Sequence, residues 1–553
     1  MNSLQQDPSP ILEFRDLNVW FEGRHRFAHV VKDVNFSIRP GELMGLVGES
    51  GSGKTTTILA AMGLLPAAAR VSGEILLGGR NILAYGPGSV AQHRWKDIAM
   101  VFQGAMNALN PVKSISWQIG EAIRAHTSLR GEDIRRRTAE LLDLVGISPA
   151  SGKNYPHQFS GGMRQRAVMA MALACNPRIL LADEPTTALD VIVQDQILKL
   201  LARLAGELRL AVVMVTHDLG VVGAVCQRAA VMRHGAIVEQ AAVPILFSQP
   251  RHSYTRELFS AIPSLSAAAE TRPPPPEDHA PLLEARDVSV VYQRTVSPGD
   301  LFRRRQPQPM AAVNNVSLAV GYGELVALVG QSGSGKTTTL QAVLGMVPVI
   351  QGSVRIGQME TTALNARAWR PLRRRVQMIY QDPYESLDSR YRVKDIIEEP
   401  LLIHGIGATA RERLAMIEDV LKRTSLTPAE DFLYRYPHEL SGGQRQRVAI
   451  AASLILKPEL LLADEPVSML DVSVRTGILA LLDDLRRTER MGILMITHDL
   501  STAAKYADRI LVMHEGRIVE AGPTREVILS PRADYTRRLL ACIPDIARPI
   551  HAI

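Results

Sequence analysis

The sequence predicts two tandem α/β domains, each built on a mostly parallel sheet. Two observations carry this expectation. Short, continuously apolar segments such as GELMGLVG, RILLADE and LAVVMVTHD alternate with helical stretches, the pattern of strands buried on both faces. The whole arrangement then recurs in the second half of the 553-residue chain. That length exceeds one ordinary domain and suits two.

The repeat is legible motif by motif. GESGSGKTT begins at Gly48 and GQSGSGKTT at Gly330; SGGMRQR begins at Ser160 and SGGQRQR at Ser441. LLADEP ends at Pro185 and again at Pro466, VTHDL and ITHDL carry His217 and His498, and SYTRELFSAIP and DYTRRLLACIP close the two halves. Lys54 and Lys336 lie 282 residues apart, while Ser160 and Ser441, Asp183 and Asp464, and His217 and His498 each lie 281 apart. One order, at offsets that agree within a single residue, means a duplicated domain. The expected boundaries are 10–263 for the first domain and 282–544 for the second, with a Pro-rich linker at 264–281. The linker, SLSAAAETRPPPPEDHAP, cannot form a core and favours extended polyproline conformation, about 3.1 Å per residue. An insertion peculiar to the second half, RTVSPGDLFRRRQPQPM from Arg294 to Met310, is expected to be a solvated loop.

Composition narrows the class. With 46% apolar and 22% charged residues, the chain can build ordinary cores. Lys and Arg number 63 against 56 Asp and Glu, a net +7 that is too slight and too dispersed for a dedicated nucleic-acid binder. The three cysteines form no C-x-x-C pair; Cys175 and Cys226, in apolar surroundings, are expected to be small core residues. The opening MNSLQQDPSP lacks an export-signal pattern, and no apolar run reaches the roughly 18 residues that span a bilayer. A soluble or peripheral protein is expected.

The polar motifs fall where apolar strands end, the carboxyl edge at which ligands of parallel sheets gather. GESGSGKT and GQSGSGKT fit G-x-x-x-x-G-K-[ST]. In such a loop Gly48, Ser50, Gly51, Ser52 and Gly53 (Gly330, Ser332, Gly333, Ser334 and Gly335 in the second copy) turn successive N–H groups around phosphate oxygens. The following helix adds the positive end of its dipole. Lys54 and Lys336 would reach the β- and γ-phosphates of a nucleotide, and Thr55 and Thr337 would offer hydroxyls to Mg²⁺, with Thr56 and Thr338 as further nucleotide contacts. Asp183-Glu184 and Asp464-Glu465 end buried strands. Adjacent strand residues face opposite ways, so the metal falls to Asp183 and Asp464 and the general-base role to Glu184 and Glu465. His217 and His498 recur 33 residues after each base, placed to hydrogen-bond a γ-phosphate and an attacking water. Ser160, Gly161 and Gly162, like Ser441, Gly442 and Gly443, open predicted helices and form second anion-binding ends.

SGG-x-R-Q-R ahead of LLADEP, followed by Asp190 and His217 or by Asp471 and His498, resembles the ATP-binding-cassette ATPases over nearly the whole chain, twice. YPHQFSGGMRQR, VFQGAMNALNP, IYQDPYESLDS and HSYTRELFSAIP are similar to the oligopeptide/dipeptide/nickel importer subfamily, including its glutathione- and microcin-type members, in which two ATPases are sometimes fused. The resemblance implies a helical subdomain and an antiparallel β subdomain beside each parallel sheet. It also implies that the halves pair head to tail around two ATP molecules. One site would join Lys54, Thr55, Gln103, Asp183, Glu184 and His217 to Ser441, Gly442 and Gly443. The other would join Lys336, Thr337, Gln381, Asp464, Glu465 and His498 to Ser160, Gly161 and Gly162. Gln103 and Gln381 would lie near Mg²⁺ as metal ligands, and Asp190 and Asp471 match the D-loop. Phe21 and Tyr292 would stack on adenine, with Trp20 a rival in the first copy. The implied partners are two transmembrane permease subunits and a periplasmic or lipid-anchored substrate-binding protein, with no nucleic acid. The implied location is peripheral, on the cytoplasmic face of the bacterial inner membrane. Peptides, glutathione-like molecules, peptide antibiotics and nickel chelates all stay open as cargo. A soluble tandem-cassette protein acting on ribosomes or DNA is the alternative, although such proteins usually carry a long charged helical linker.

Overall fold

The computed structural model describes residues 9–22, 27–84, 87–104, 108–186, 189–260, 265, 281–292, 310–382, 386–467, 470 and 472–543. Asp471, nearly all of the Pro-rich linker and nearly all of the 294–310 insertion lie outside the described residues. The chain divides into two compact units, one ending its main run at Ile262 and the other beginning at Pro263.

In the first unit, strands Leu43–Val47, Ile98–Val101, Ile179–Asp183, Ala211–Thr216 and Arg228–Arg233 pair in parallel, and Ala236–Ala242 adds an antiparallel edge. Their apolar runs are continuous because both faces are covered. Leu43, Leu180, Val212 and Met214 point into a core shared with helices Ile115–His126, Gly131–Leu144 and Gly161–Ala172. Met44, Leu46, Leu181, Val213 and Val215 point into the opposite core, shared with Ile58 and Ala61 of helix Lys54–Met62 and with Phe14 and Phe36 of a second sheet. That second sheet is antiparallel and four-stranded, in the order Phe27–Ile38, Leu12–Glu22, Ala69–Leu77, Arg80–Asn81.

The second unit repeats this layout strand for strand. Its six-stranded sheet runs Val376–Ile379, Leu460–Asp464, Gly492–Thr497, Leu325–Val329, Arg509–His514, Arg517–Pro523, the first unit's order read from the other edge. The four-stranded sheet runs Met310–Val320, Leu283–Tyr292, Gln351–Ile356, Met359–Glu360. Each unit thus has the mostly parallel sheet that its residues predict and the helical and antiparallel layers that the family resemblance implies. Cys226 is buried, as expected, but Cys175 is only half-buried and donates weakly to the Ala122 carbonyl at 3.8 Å. Its position beside the exposed Asn176 turn leaves one side open.

Candidate functional site

Strand register assembles the site. In the first unit Val47 pairs with Thr216, Asp183 with Val215, and Val101 with Ala182. The residues one step beyond these pairs, Gly48, His217, Glu184 and Phe102–Gln103, therefore emerge together at the carboxyl edge. The second unit matches it, with Val329 beside Thr497 and Ile379 beside Ala463.

The loop after the central strand is shaped by steric necessity. A Cβ on Gly48 would lie 2.1 Å from the Met232 carbonyl oxygen, and one on Gly330 would lie 2.1 Å from that of Met513. Gly53 and Gly335 cap the next helices at φ 101° and 103°, a left-handed region that favours glycine. Lys54, only 6% exposed, folds its Nζ back onto the carbonyls of Gly48 (2.8 Å) and Glu49 (2.7 Å). Lys336 makes the same bonds to Gly330 and Gln331 at 2.8 and 2.7 Å. Each lysine thus holds its ammonium inside the loop, where it would meet phosphate oxygens. In the second unit Ser332, Gly333, Lys336, Thr337, Thr338, Gln381 and Glu465 line a cleft of about 470 Å³. The buried Ser334 hydroxyl has no partner among the described residues. An amide-rich cleft with a buried cation and an orphan hydroxyl fits the phosphates of ATP.

The acids divide as their strand positions require. Thr55 donates to Asp183 at 3.1 Å, bringing the two predicted metal-binding oxygens together. Burial pushes the Asp183 carboxyl up to about 6; the Thr55 hydrogen bond and the Lys54 charge oppose this, while Glu184 adds to it. Burial raises Asp464 in the same way. Glu184 faces elsewhere, its backbone turned to φ 48° at the strand's end. There its carboxylate accepts from Gln103 Nε2 at 2.8 Å and meets His217 Nδ1 at 2.8 Å. Glu465 accepts from Gln381 at 3.0 Å and meets His498 Nδ1 at 3.1 Å. A carboxylate only accepts, so Nδ1 of each histidine carries the proton and Nε2 points away from the pair. Burial alone would raise Glu465, but His498, Lys336 and Gln381 outweigh it and hold the carboxyl below its usual range. Burial alone would likewise lower His498, but Glu465 outweighs it and holds the imidazole above its usual range. Gln103 and Gln381 therefore contact the predicted bases rather than Asp183 or Asp464.

The SGG segments sit at helix starts. Ser160 caps Gly161–Ala172 by accepting from Met163 N at 3.3 Å, and Ser441 caps Gly442–Leu454 by accepting from Gln444 N at 3.3 Å. A Cβ on Gly162 would approach Val193 Cγ1 to 2.4 Å, and one on Gly443 would approach Val474 Cγ1 to 2.8 Å. Glycine thus lets each tip lie against the next helix, which in the first unit is capped by Asp190 through Val193 N at 3.1 Å. Among the described residues neither SGG segment hydrogen-bonds the phosphate loop of its own unit. Phe21 packs partly against its unit's core, Trp20 stacks on His29 at 4.6 Å, and Tyr292 is 45% exposed at a strand end paired with Met310. Only Tyr292 presents an open ring.

Two further residues belong to the site. The Tyr254 hydroxyl accepts from Glu49 N at 3.3 Å, and the Tyr535 hydroxyl accepts from Gln331 N at 3.2 Å. Each belongs to the repeated SYTRE/DYTRR closure and grips the phosphate loop from the far end of its domain. The recurrence of that closure marks the pair, although nothing in its chemistry names the target.

Two P-loop α/β cassettes, each with a glutamate–histidine pair beside its phosphate loop and a serine–glycine helix tip, define a tandem ATP-binding-cassette ATPase. The chain belongs to the ABC transporter family, which it matches over residues 31–187 and 313–468. It also matches the oligopeptide/dipeptide transporter C-terminal region over 238–292 and 519–553. It is 40% identical to the peptidoglycan transport ATP-binding protein YejF of Agrobacterium fabrum, over 98% of each chain. It is 41% identical to the glutathione import ATP-binding protein GsiA of Salmonella paratyphi A, over 98% of this chain and 91% of that one. A dimeric post-hydrolysis structure of the cassette MJ0796 bound to ADP and Pi aligns at 28% identity and TM-score 0.39, over 44% of this chain and 98% of that one. ATP binding and hydrolysis follow from family membership, as does work within a transporter complex that includes permeases. Among the described residues no helix is long and apolar enough to cross a membrane.

Proposed function

We propose that this chain energises a bacterial importer of peptides or peptide-like compounds, a class that includes glutathione. The observation that carries this is the similarity, end to end, to transport ATPases named for peptidoglycan and glutathione, together with two copies of the oligopeptide/dipeptide C-terminal region. That similarity favours transport over the soluble alternative on ribosomes or DNA.

In this reading ATP held by Lys54, Thr55 and Thr56 is capped by Ser441, Gly442 and Gly443, and ATP held by Lys336, Thr337 and Thr338 is capped by Ser160, Gly161 and Gly162. The capped helix starts supply amides and positive dipole ends for the second side of each nucleotide. Mg²⁺ suits the first side. Its donors would be Thr55 and Asp183, or Thr337 and Asp464, all hard oxygens, joined by phosphate oxygens; one carboxylate per site is typical for this ion. Bound there, it would neutralise charge on the phosphates. Gln103 and Gln381 would reach it only after leaving Glu184 and Glu465, which makes them reporters of nucleotide state. Glu184 and Glu465 orient the attacking water and accept its proton, while the imidazoles hold those carboxylates and face the γ-phosphate. Asp190 and Asp471 would serve the D-loop, and Tyr292 and Phe21 the adenine.

The exposed rings of Phe102 and Tyr380, each directly preceding one of the glutamines, offer contact surface to two permease subunits. A periplasmic or lipid-anchored binding protein would choose the cargo, and the chain would sit peripherally on the cytoplasmic face of the inner membrane. The test is to purify the full chain from native membranes and identify what the associated binding protein carries. Recovery with two membrane subunits and a peptide-class ligand is expected. Recovery with ribosomes or DNA, and without membrane subunits, would refute the proposal.

A further inference from the structure

We propose that the first cassette carries a second ligand site, for a small organic anion of two or more charges, at the edge of its sheet opposite the phosphate loop. A cleft of about 600 Å³ opens there, within the range of small-molecule sites. Arg137, Arg178 and Arg209 line it with Glu140, and Leu144, Leu173 and Leu208 form an apolar wall. Arg178 directly precedes strand Ile179–Asp183, and Arg209 lies two residues before Ala211–Thr216. At about 3.3 Å per residue, a five-residue strand holds its ends roughly 16 Å apart. The cleft and the Asp183 end of that strand are therefore distinct places.

Charge within the cleft is unbalanced. Arg137 spends its two terminal nitrogens on Glu140 and Asn176, and its buried Nε–H has no partner among the described residues. The guanidinium groups of Arg178 and Arg209 make no hydrogen bond or ion pair among the described residues. Asp97, whose backbone carbonyl accepts from Arg178 N at 3.0 Å, has its carboxylate taken by His93 Nδ1 at 2.8 Å. A guanidinium fork matches carboxylate and phosphate oxygens, and two unpaired forks lining one cleft with apolar side chains suit an organic phosphate or polycarboxylate.

The duplicated cassette serves as an internal control. Glu459 stands where Arg178 does, and Glu489 where Leu208 does. Glu459 accepts two hydrogen bonds from Arg375, at 2.8 and 2.7 Å, and Glu489 pairs with Arg423, the counterpart of Leu144. The same place in the second cassette thus carries two ion pairs, and Arg490 there keeps the arginine of position 209, while in the first cassette Arg178 and Leu208 replace both acids. A duplicated fold needs no such difference for stability.

The probe is 1-naphthyl phosphate, titrated by fluorescence into the full chain with both phosphate loops filled by a non-hydrolysable ATP analogue. One saturable equivalent per chain is expected. Arg178→Glu, which installs the second cassette's charge at an exposed position, should weaken it at least tenfold, and Arg209→Glu should act similarly. Both variants should keep the parent's melting temperature and basal ATPase rate, since neither residue touches the nucleotide machinery. Glu459→Gln should leave the affinity unchanged. Absence of saturable binding, binding insensitive to both arginine substitutions, or equal affinity for inorganic phosphate would each overturn the proposal. So would retention on vesicles containing phosphatidate without binding of the soluble ester, since the ligand would then be a membrane surface. No permease enters this assay, so its outcome is independent of the transport reading.

Discussion

Glu184→Gln and Glu465→Gln, made separately in the full chain, each lower steady-state ATP turnover by at least about 100-fold, the low end of what a positioned general base contributes. Glutamine keeps the shape and the acceptor oxygen that meets His217 or His498, but it cannot take a proton from water. Equal loss from either substitution is expected because both sites hold a complete set: Lys, Thr, Asp, Glu, Gln and His occur in each. If the two sites must fire within one opening and closing cycle, disabling one stalls the other. Single-turnover and steady-state phosphate release measure this, with nucleotide affinity as the control that should stay within a few-fold of the parent. Near-normal turnover in either single variant would mean that one site suffices.

Lys54→Ala and Lys336→Ala each weaken ATP at one of the two sites by about 10- to 100-fold, as expected from losing hydrogen bonds between a cation and phosphate worth roughly 1.5–3 kcal/mol. The substitution also removes the two bonds by which each lysine ties down its phosphate loop, to Gly48 and Glu49 or to Gly330 and Gln331. Calorimetric titration separates the sites: the parent should bind two equivalents tightly and each variant only one. A variant that still bound two equivalents with parental affinity would remove the lysine from the phosphate site.

Much of this arrangement was legible because parallel strands buried on both faces leave unbroken apolar runs. Leu43–Val47 and Ile179–Asp183 could be placed from their residues alone, and their register then forces Gly48, Asp183, Glu184 and His217 onto one edge. The four-stranded antiparallel sheet was expected only through family resemblance. Its long strands are half-buried and shift register at Phe14/Leu17 and Val19/Trp20, so alternation fails as a signal. The bond between Tyr254 and Glu49 joins residues 205 apart, a tertiary fact that local pattern cannot carry. The glutamines are expected beside the metal-binding acids, yet their amides donate to Glu184 and Glu465, contacts across 81 and 84 residues that local pattern does not show. The left-handed backbone of Glu184, at φ 48°, left no mark in composition either, since its neighbours alone impose it.

In the proposed mechanism ATP joins the two cassettes by taking contacts from both. Moving such an equilibrium from 1:99 to 99:1 takes about 5.5 kcal/mol of differential binding, which two nucleotides supply at roughly 2.7 kcal/mol each. The most direct measurement is the distance between spin labels at the exposed Glu132 and Asp419, one on each cassette, in a full chain carrying Glu184→Gln and Glu465→Gln with its three cysteines replaced. Saturating ATP and Mg²⁺ should collapse a broad distribution into a shorter, narrow one, and Ser441→Arg with Ser160→Arg should abolish that change. An unaltered distribution with both loops filled would contradict the account.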